Sequence, residues 1–96
     1  MGIDDLIKGK REDILRIAAK HGAFNVRIFG SFARGDAGPE SDVDFLIDAG
    51  PNTTAWFPGG LIVDLEELLG RRIDVTTERG LRPRIRDSVL TDAKPL

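Results

Sequence analysis

Apolar and polar positions change period several times along this chain. From residues 3 to 21 the apolar positions recur every three or four residues, with Ile3, Leu6 and Ile7 followed by Ile14, Leu15, Ile17 and Ala18, which is the stripe of an amphipathic helix. Gly22, after Lys20-His21, suits a C-terminal cap. Gly9 lies between the two apolar clusters and divides the segment into a short helix and a longer one, since glycine costs roughly 1 kcal/mol in a helix interior. At Phe24 the period drops to two. FNVRIF, Phe24 to Phe29, reads as a strand with Phe24, Val26 and Ile28 on one face. Gly30 ends it. Ser31 as N-cap and Gly35 as a stop predict a single helical turn between them.

After the loop DAGPES the two-residue period returns. Asp42 to Asp48 (DVDFLID) puts Val43, Phe45 and Ile47 on a buried face and Asp42, Asp44, Leu46 and Asp48 on the other. The glycine, proline, asparagine and threonine content of AGPNTTAWFPGG marks a loop. Leu61 to Leu69 is a helix with Leu61, Leu65, Leu68 and Leu69 as its stripe and Gly70 as its cap. Ile73-Asp74-Val75-Thr76 repeats the acidic strand's pattern in shorter form. Leu81 to Leu90 closes the series as a helix with Pro83 in its first turn and Ile85, Val89 and Leu90 as anchors. The tail TDAKPL carries no period. These elements predict an α+β fold of two layers, a small mixed sheet with helices on one face.

Composition narrows the picture only a little. At 96 residues the chain is expected to form one domain, residues 1–96, burying about two-thirds of its unfolded surface. With 14 basic against 16 acidic residues and a net charge of -2, no nucleic-acid or membrane surface is expected. There are no cysteines, so disulfides and thiolate metal sites are excluded. No apolar run approaches the length of about 20 residues that spans a bilayer, and the start lacks the apolar core of a leader, so a cytoplasmic protein is expected.

The chemistry concentrates between Phe29 and Asp44, FGSFARGDAGPESDVD. Asp42 and Asp44 are two residues apart on an extended segment and project from one face, where they repel each other unless a cation or solvent intervenes. If the strands carrying Asp44 and Asp74 are neighbours, Asp42, Asp44 and Asp74 meet on the face opposite the helices. Magnesium prefers such oxygen ligands, and two ions can activate an attacking hydroxyl and neutralise a leaving pyrophosphate. Asp74 is then the general base. Gly30, lacking a Cβ, and Ser31, with its hydroxyl, can receive the β- and γ-phosphates, and Arg34 can reach those phosphates or pair with a carboxylate. Asp48 and Asp64 read as surface charges, and His21 as a structural residue at a helix end. Trp56 and Phe57 can cap the core, stack on a base or face a partner. The arginines at 79, 82, 84 and 86 read as a solvated face first and as a surface for a phosphate-rich or acidic partner second.

GSFARG followed by SDVD, with Asp74 on a later strand, resembles the minimal nucleotidyltransferases of the DNA polymerase β superfamily, whose signature is a Gly-Ser turn, an acidic pair and a third carboxylate. LEELLGRRIDVTT and LRPRIRDSVLTDAKPL are similar to the segments that follow in those proteins, so the resemblance runs from about residue 10 to 96. It implies a polymerase β palm-like fold. It also implies that Gly30 and Ser31 form the phosphate turn and that Asp42, Asp44 and Asp74 are the metal and catalytic carboxylates. Mg2+, two ions, would be the cofactor, with ATP as substrate. Small members of this family stand beside a HEPN-domain protein in type VII toxin-antitoxin pairs and transfer AMP to a tyrosine of that toxin. The chain itself has no tyrosine, which is compatible with an acceptor in trans. Two alternatives remain: an antitoxin that acts by binding alone, and a nucleotidyltransferase acting on a small molecule.

Overall fold

A computed structural model describes residues 5–96, so the opening of the first helix, from Ile3, lies outside the described residues. The elements are α1 (Asp5–Gly9), α2 (Arg11–Lys20), β1 (Ala23–Phe29), α3 (Ser31–Arg34), β2 (Val43–Ala49), α4 (Gly59–Leu69), β3 (Ile73–Thr77), a 3-10 turn (Glu78–Gly80), α5 (Pro83–Asp92) and β4 (Lys94–Pro95). α1 ends with Gly9 and the break falls at Lys10, next to the glycine whose position between two apolar clusters predicts it. The four strands form one sheet in the order β3-β2-β1-β4. β1 runs antiparallel to β2 and β4, while β2 and β3 are parallel, so the sheet is mixed.

The main core lies between one face of this sheet and the helices. Val43, Phe45 and Ile47 of β2 and Ile73 of β3 pack with Ile14 and Ala18 of α2 and Leu61, Leu65 and Leu69 of α4. A second, smaller cluster gathers Leu46, Leu81 and Val89, with Phe29, Leu90 and Ala93 against them. α5 therefore adds partial cover on the face opposite α2 and α4. Leu46, which the alternation places beside the carboxylates, is 0% exposed beneath this cover. The apolar lid splits that face into two polar ends, one at the start of β2 and one at its finish.

Four local expectations are corrected. Phe24 does not face the core: it pairs with Asp48 while Arg27 pairs with Leu46, three residues against two, and Asn25 takes a positive φ of 50. This β-bulge reverses the alternation, so Ala23 is buried and Phe24 exposed. Ile85 is 50% exposed, and Leu81, just ahead of α5, joins Val89 in the cluster instead. Ser31 is the first residue of α3 rather than its cap, because Gly30 takes the cap position. The tail forms β4, pairing Lys94 with Ile28. In the loop before α4, Trp56 is 92% exposed whereas Phe57 packs against the core.

Candidate active site

The end of β1 and the start of β2 are in register, with Phe29 opposite Asp44. The next residue, Gly30, has φ 73 and ψ -153, a conformation that side chains rarely tolerate. A Cβ at Gly30 would collide with Asp44 Oδ2. The turn and the acidic strand thus touch: the Asp44 carboxylate lies against the bare backbone of Gly30. The Gly30 carbonyl turns into α3 and accepts hydrogen bonds from the Ala33 and Arg34 amides, both at 3.1 Å. Gly35 ends this single turn at φ 83. Ser31 follows Gly30 directly, and the opening amides of a helical turn have no acceptor within the helix.

Asp74 of β3 is the direct register partner of Asp44. Val43 with Ile73 and Phe45 with Val75 flank the pair and turn into the core, so Asp44 and Asp74 emerge side by side on the other face. Asp42 precedes β2 by one residue. Burial pushes the Asp44 carboxyl up to about 6, the charges of Asp74 and Asp42 push the same way, and Arg34 opposes them. Among the described residues none of these three carboxylates has a hydrogen-bond or ion-pair partner. Nor do three or more acidic or histidine side chains among the described residues form a ready-made metal cage. The arrangement is an all-oxygen donor set drawn from neighbouring strands, which fits magnesium, an ion that takes one or two carboxylates and keeps several waters.

Of Arg34's two sequence-derived roles, the structure displays the carboxylate pairing. Its guanidinium donates to Asp36 at 3.3 Å and to Asp92 at 2.7 Å, and these bonds, Asp92 first, raise its pKa. It braces α3 against the end of α5. The cleft that borders Asp42, about 260 Å³, lies between Pro39–Asp42 and Gly70–Arg72. A larger one, about 440 Å³, is lined by Phe24, Asp48, Thr77, Glu78 and Arg79 at the far end of β2. Of the three carboxylates, Asp42 lines the smaller cleft and none lines the larger, so size does not point to the acidic site.

Two acids read as surface charges are engaged. Asp48 accepts from Arg27 at 3.1 Å and from Asn25 at 3.0 Å, and Arg27 also reaches Glu78 at 3.0 Å. The sequence signal for this pairing is an arginine inside the alternating FNVRIF, which calls for a carboxylate nearby. Asp64 bonds His21 at 2.7 Å, which holds its carboxyl below the usual range, and Lys20 adds to that. His21 is buried and also bonds Thr54 at 2.7 Å, so it joins α2, the loop and α4 in the structural role expected of it.

Residues 10–96 match the nucleotidyltransferase domain family. A protein of Methanocaldococcus jannaschii, provisionally named a protein adenylyltransferase, is 35% identical over 83 residues, covering 86% of this chain and 89% of its own. A solved structure described as a minimal nucleotidyltransferase, again provisionally, superposes with a TM-score of 0.83 at 45% identity over 97% of both chains. A crystal structure of a toxin-antitoxin with AMP-PNP shares the fold, with a TM-score of 0.74 at 20% identity over 88% of this chain and 69% of that one. The chain belongs to the nucleotidyltransferase domain family, among its minimal members.

Proposed function

We propose that this protein transfers AMP from ATP to a tyrosine of a separate HEPN-type toxin, and so acts as the antitoxin of a type VII toxin-antitoxin pair. One observation carries the reading: Asp44 and Asp74 stand abreast, with Asp44 against Gly30, and among the described residues neither forms an ion pair. The adenylyltransferase name of the Methanocaldococcus jannaschii relative and the toxin-antitoxin fold neighbour with AMP-PNP agree with it. Action on ATP fits a cytoplasmic protein, and no helix among the described residues is long and apolar enough to cross a membrane.

Asp42, Asp44 and Asp74 would hold magnesium. When bound, the metal supplies activation of the acceptor hydroxyl and neutralisation of the departing phosphates. The chain's own groups do the rest. Gly30 lets a phosphate approach the backbone, and the Ser31 hydroxyl and the amides opening α3 donate to the β- and γ-phosphate oxygens. Arg34 holds α3 through Asp92 and favours the ionised form of Asp44. The tyrosine oxygen bonds to the α-phosphorus, the bond from that phosphorus to the bridging oxygen breaks, and pyrophosphate leaves. Asp74, exposed beside Asp44, takes the tyrosine proton.

Incubation with α-labelled ATP, Mg2+ and the HEPN partner tests this. Label is expected on a tyrosine of the partner, with transfer reduced at least about 1000-fold in an Asp42→Asn/Asp44→Asn double variant. If the toxin is neutralised equally by the double variant with no label on the partner, inhibition by binding alone replaces the proposal.

A further inference from the structure

One guanidinium joins the parts of the candidate site without belonging to its carboxylates. Arg71 lies between α4 and β3, three residues before Asp74. Its Nη1 donates to the carbonyls of Gly38 at 2.9 Å, Pro39 at 3.2 Å and Ser41 at 3.4 Å. These are the residues by which the chain approaches Asp42. The guanidinium carbon also stands 5.2 Å from the centroid of the Phe32 ring, the buried residue that follows Ser31 in α3. Among the described residues Arg71 has no carboxylate partner, so all of its displayed interactions are with a turn and a ring.

The turn it grips is otherwise lightly held. The Gly38 amide donates to Ser41 Oγ at 2.8 Å and the Ser41 amide to the Gly38 carbonyl at 3.2 Å, both within the turn itself. The next tie is the Val43 amide to the Arg72 carbonyl at 3.0 Å, already past Asp42. Asp42 therefore sits between a self-contained turn and the first ladder bond, and Arg71 fixes that turn to the rest of the molecule. A lysine ammonium could donate to the carbonyls that Nη1 serves, but it lacks the planar group that lies over the Phe32 ring at the same time.

We propose that Arg71 is a positioning residue of the transfer site: it holds the Gly38–Ser41 turn in register with Phe32, and so sets Asp42 relative to Asp44 and the Gly30-Ser31 turn. The inference rests on the proposed nucleotidyl transfer, and its test separates the two. Arg71→Gln and Arg71→Lys are compared with the unchanged protein by amide hydrogen exchange and by steady-state transfer. In Arg71→Gln, exchange at the Gly38, Ser41 and Val43 amides is expected to rise at least about tenfold, while α2 and α4 keep their protection. The kcat for transfer falls about 10- to 100-fold, as for a displaced catalytic group, with KM for ATP changed less than about threefold. The Mg2+ concentration for half-maximal rate increases, and Arg71→Lys lies between the two on every readout. Unchanged exchange at those three amides, an unchanged kcat, or a loss of protection spread equally over α2 and α4 would each overturn the proposal. If the unchanged protein transfers no AMP, the function reading fails, and the exchange measurement still decides whether Arg71 orders the approach to Asp42.

Discussion

The two ends of β2 present acids on the same face of the sheet and treat them in opposite ways. At the far end, Asp48 and the neighbouring Glu78 close on Arg27, whose side chain is only 13% exposed. At the near end, Asp44 meets Asp74 and Asp42, and Arg34, whose charge opposes them, is bonded to Asp36 and Asp92 instead. Leu46, sealed under α5, separates the two ends. An acid cluster serving only the fold is expected to look like the far end, because burying unpaired carboxylates costs stability. At the near end Asp44 carries that cost, its carboxyl pushed up to about 6 by burial and by its acidic neighbours, and the proposed cation would relieve it.

The largest effect on stability is expected from closing the contact that defines the near end. Gly30→Ala puts a methyl into Asp44 Oδ2 on a left-handed backbone. It should lower unfolding stability by about 2–3 kcal/mol in urea and transfer by about 100-fold. An unaltered rate would mean that Asp44 does not need its place against the turn.

Opening the far end should affect the fold and spare the chemistry. Arg27→Leu leaves Asp48 with Asn25 and Glu78 with Arg86, so the acids lose their charge partner but keep weaker ones. A loss of about 2 kcal/mol is expected in urea unfolding, with transfer within about twofold of the unchanged protein. If the rate fell with the stability, the two ends would not be independent.

The smallest effect is a stability gain. Between the ordinary carboxylate value, 3.8, and about 6, folded Asp44 keeps a proton that the unfolded chain has lost. Its contribution to stability therefore falls as pH rises through that window and is level above it. Without divalent metal, Asp44→Asn should be more stable than the unchanged protein by about 1 kcal/mol at pH 7, a figure discounted from the full shift because the group is only half-buried, and the difference should vanish near pH 4. Urea unfolding in EDTA at the two pH values reads it directly.

Much of the near end was legible in the sequence because its signals are local. The alternation of DVDFLID survives in the structure, the register of β2 and β3 places Asp74 beside Asp44, and Gly30 ends β1 as its place after FNVRIF suggests. What stayed hidden depended on partners distant in the chain. Leu46 looks like a member of the polar face until α5 folds over it. Phe24 follows the two-residue period until Asn25 bulges, and a bulge leaves no periodic trace. The two-residue strand β4 is too short to carry a period at all. Arg27 and Arg71 act through Glu78, Asp48 and the Gly38–Ser41 turn, contacts between residues 21 to 51 positions apart for the first and 30 to 33 for the second.

The contrast between the ends reduces to where a divalent cation binds. Calorimetric titration of Mg2+ at pH 7.5, in the presence of a non-hydrolysable ATP analogue, measures it on the unchanged protein, on Asp48→Asn and on the Asp42→Asn/Asp44→Asn variant. Binding is expected to be the same in the first two and at least about 100-fold weaker in the third. Equal binding in all three, or its loss in Asp48→Asn alone, would contradict the account.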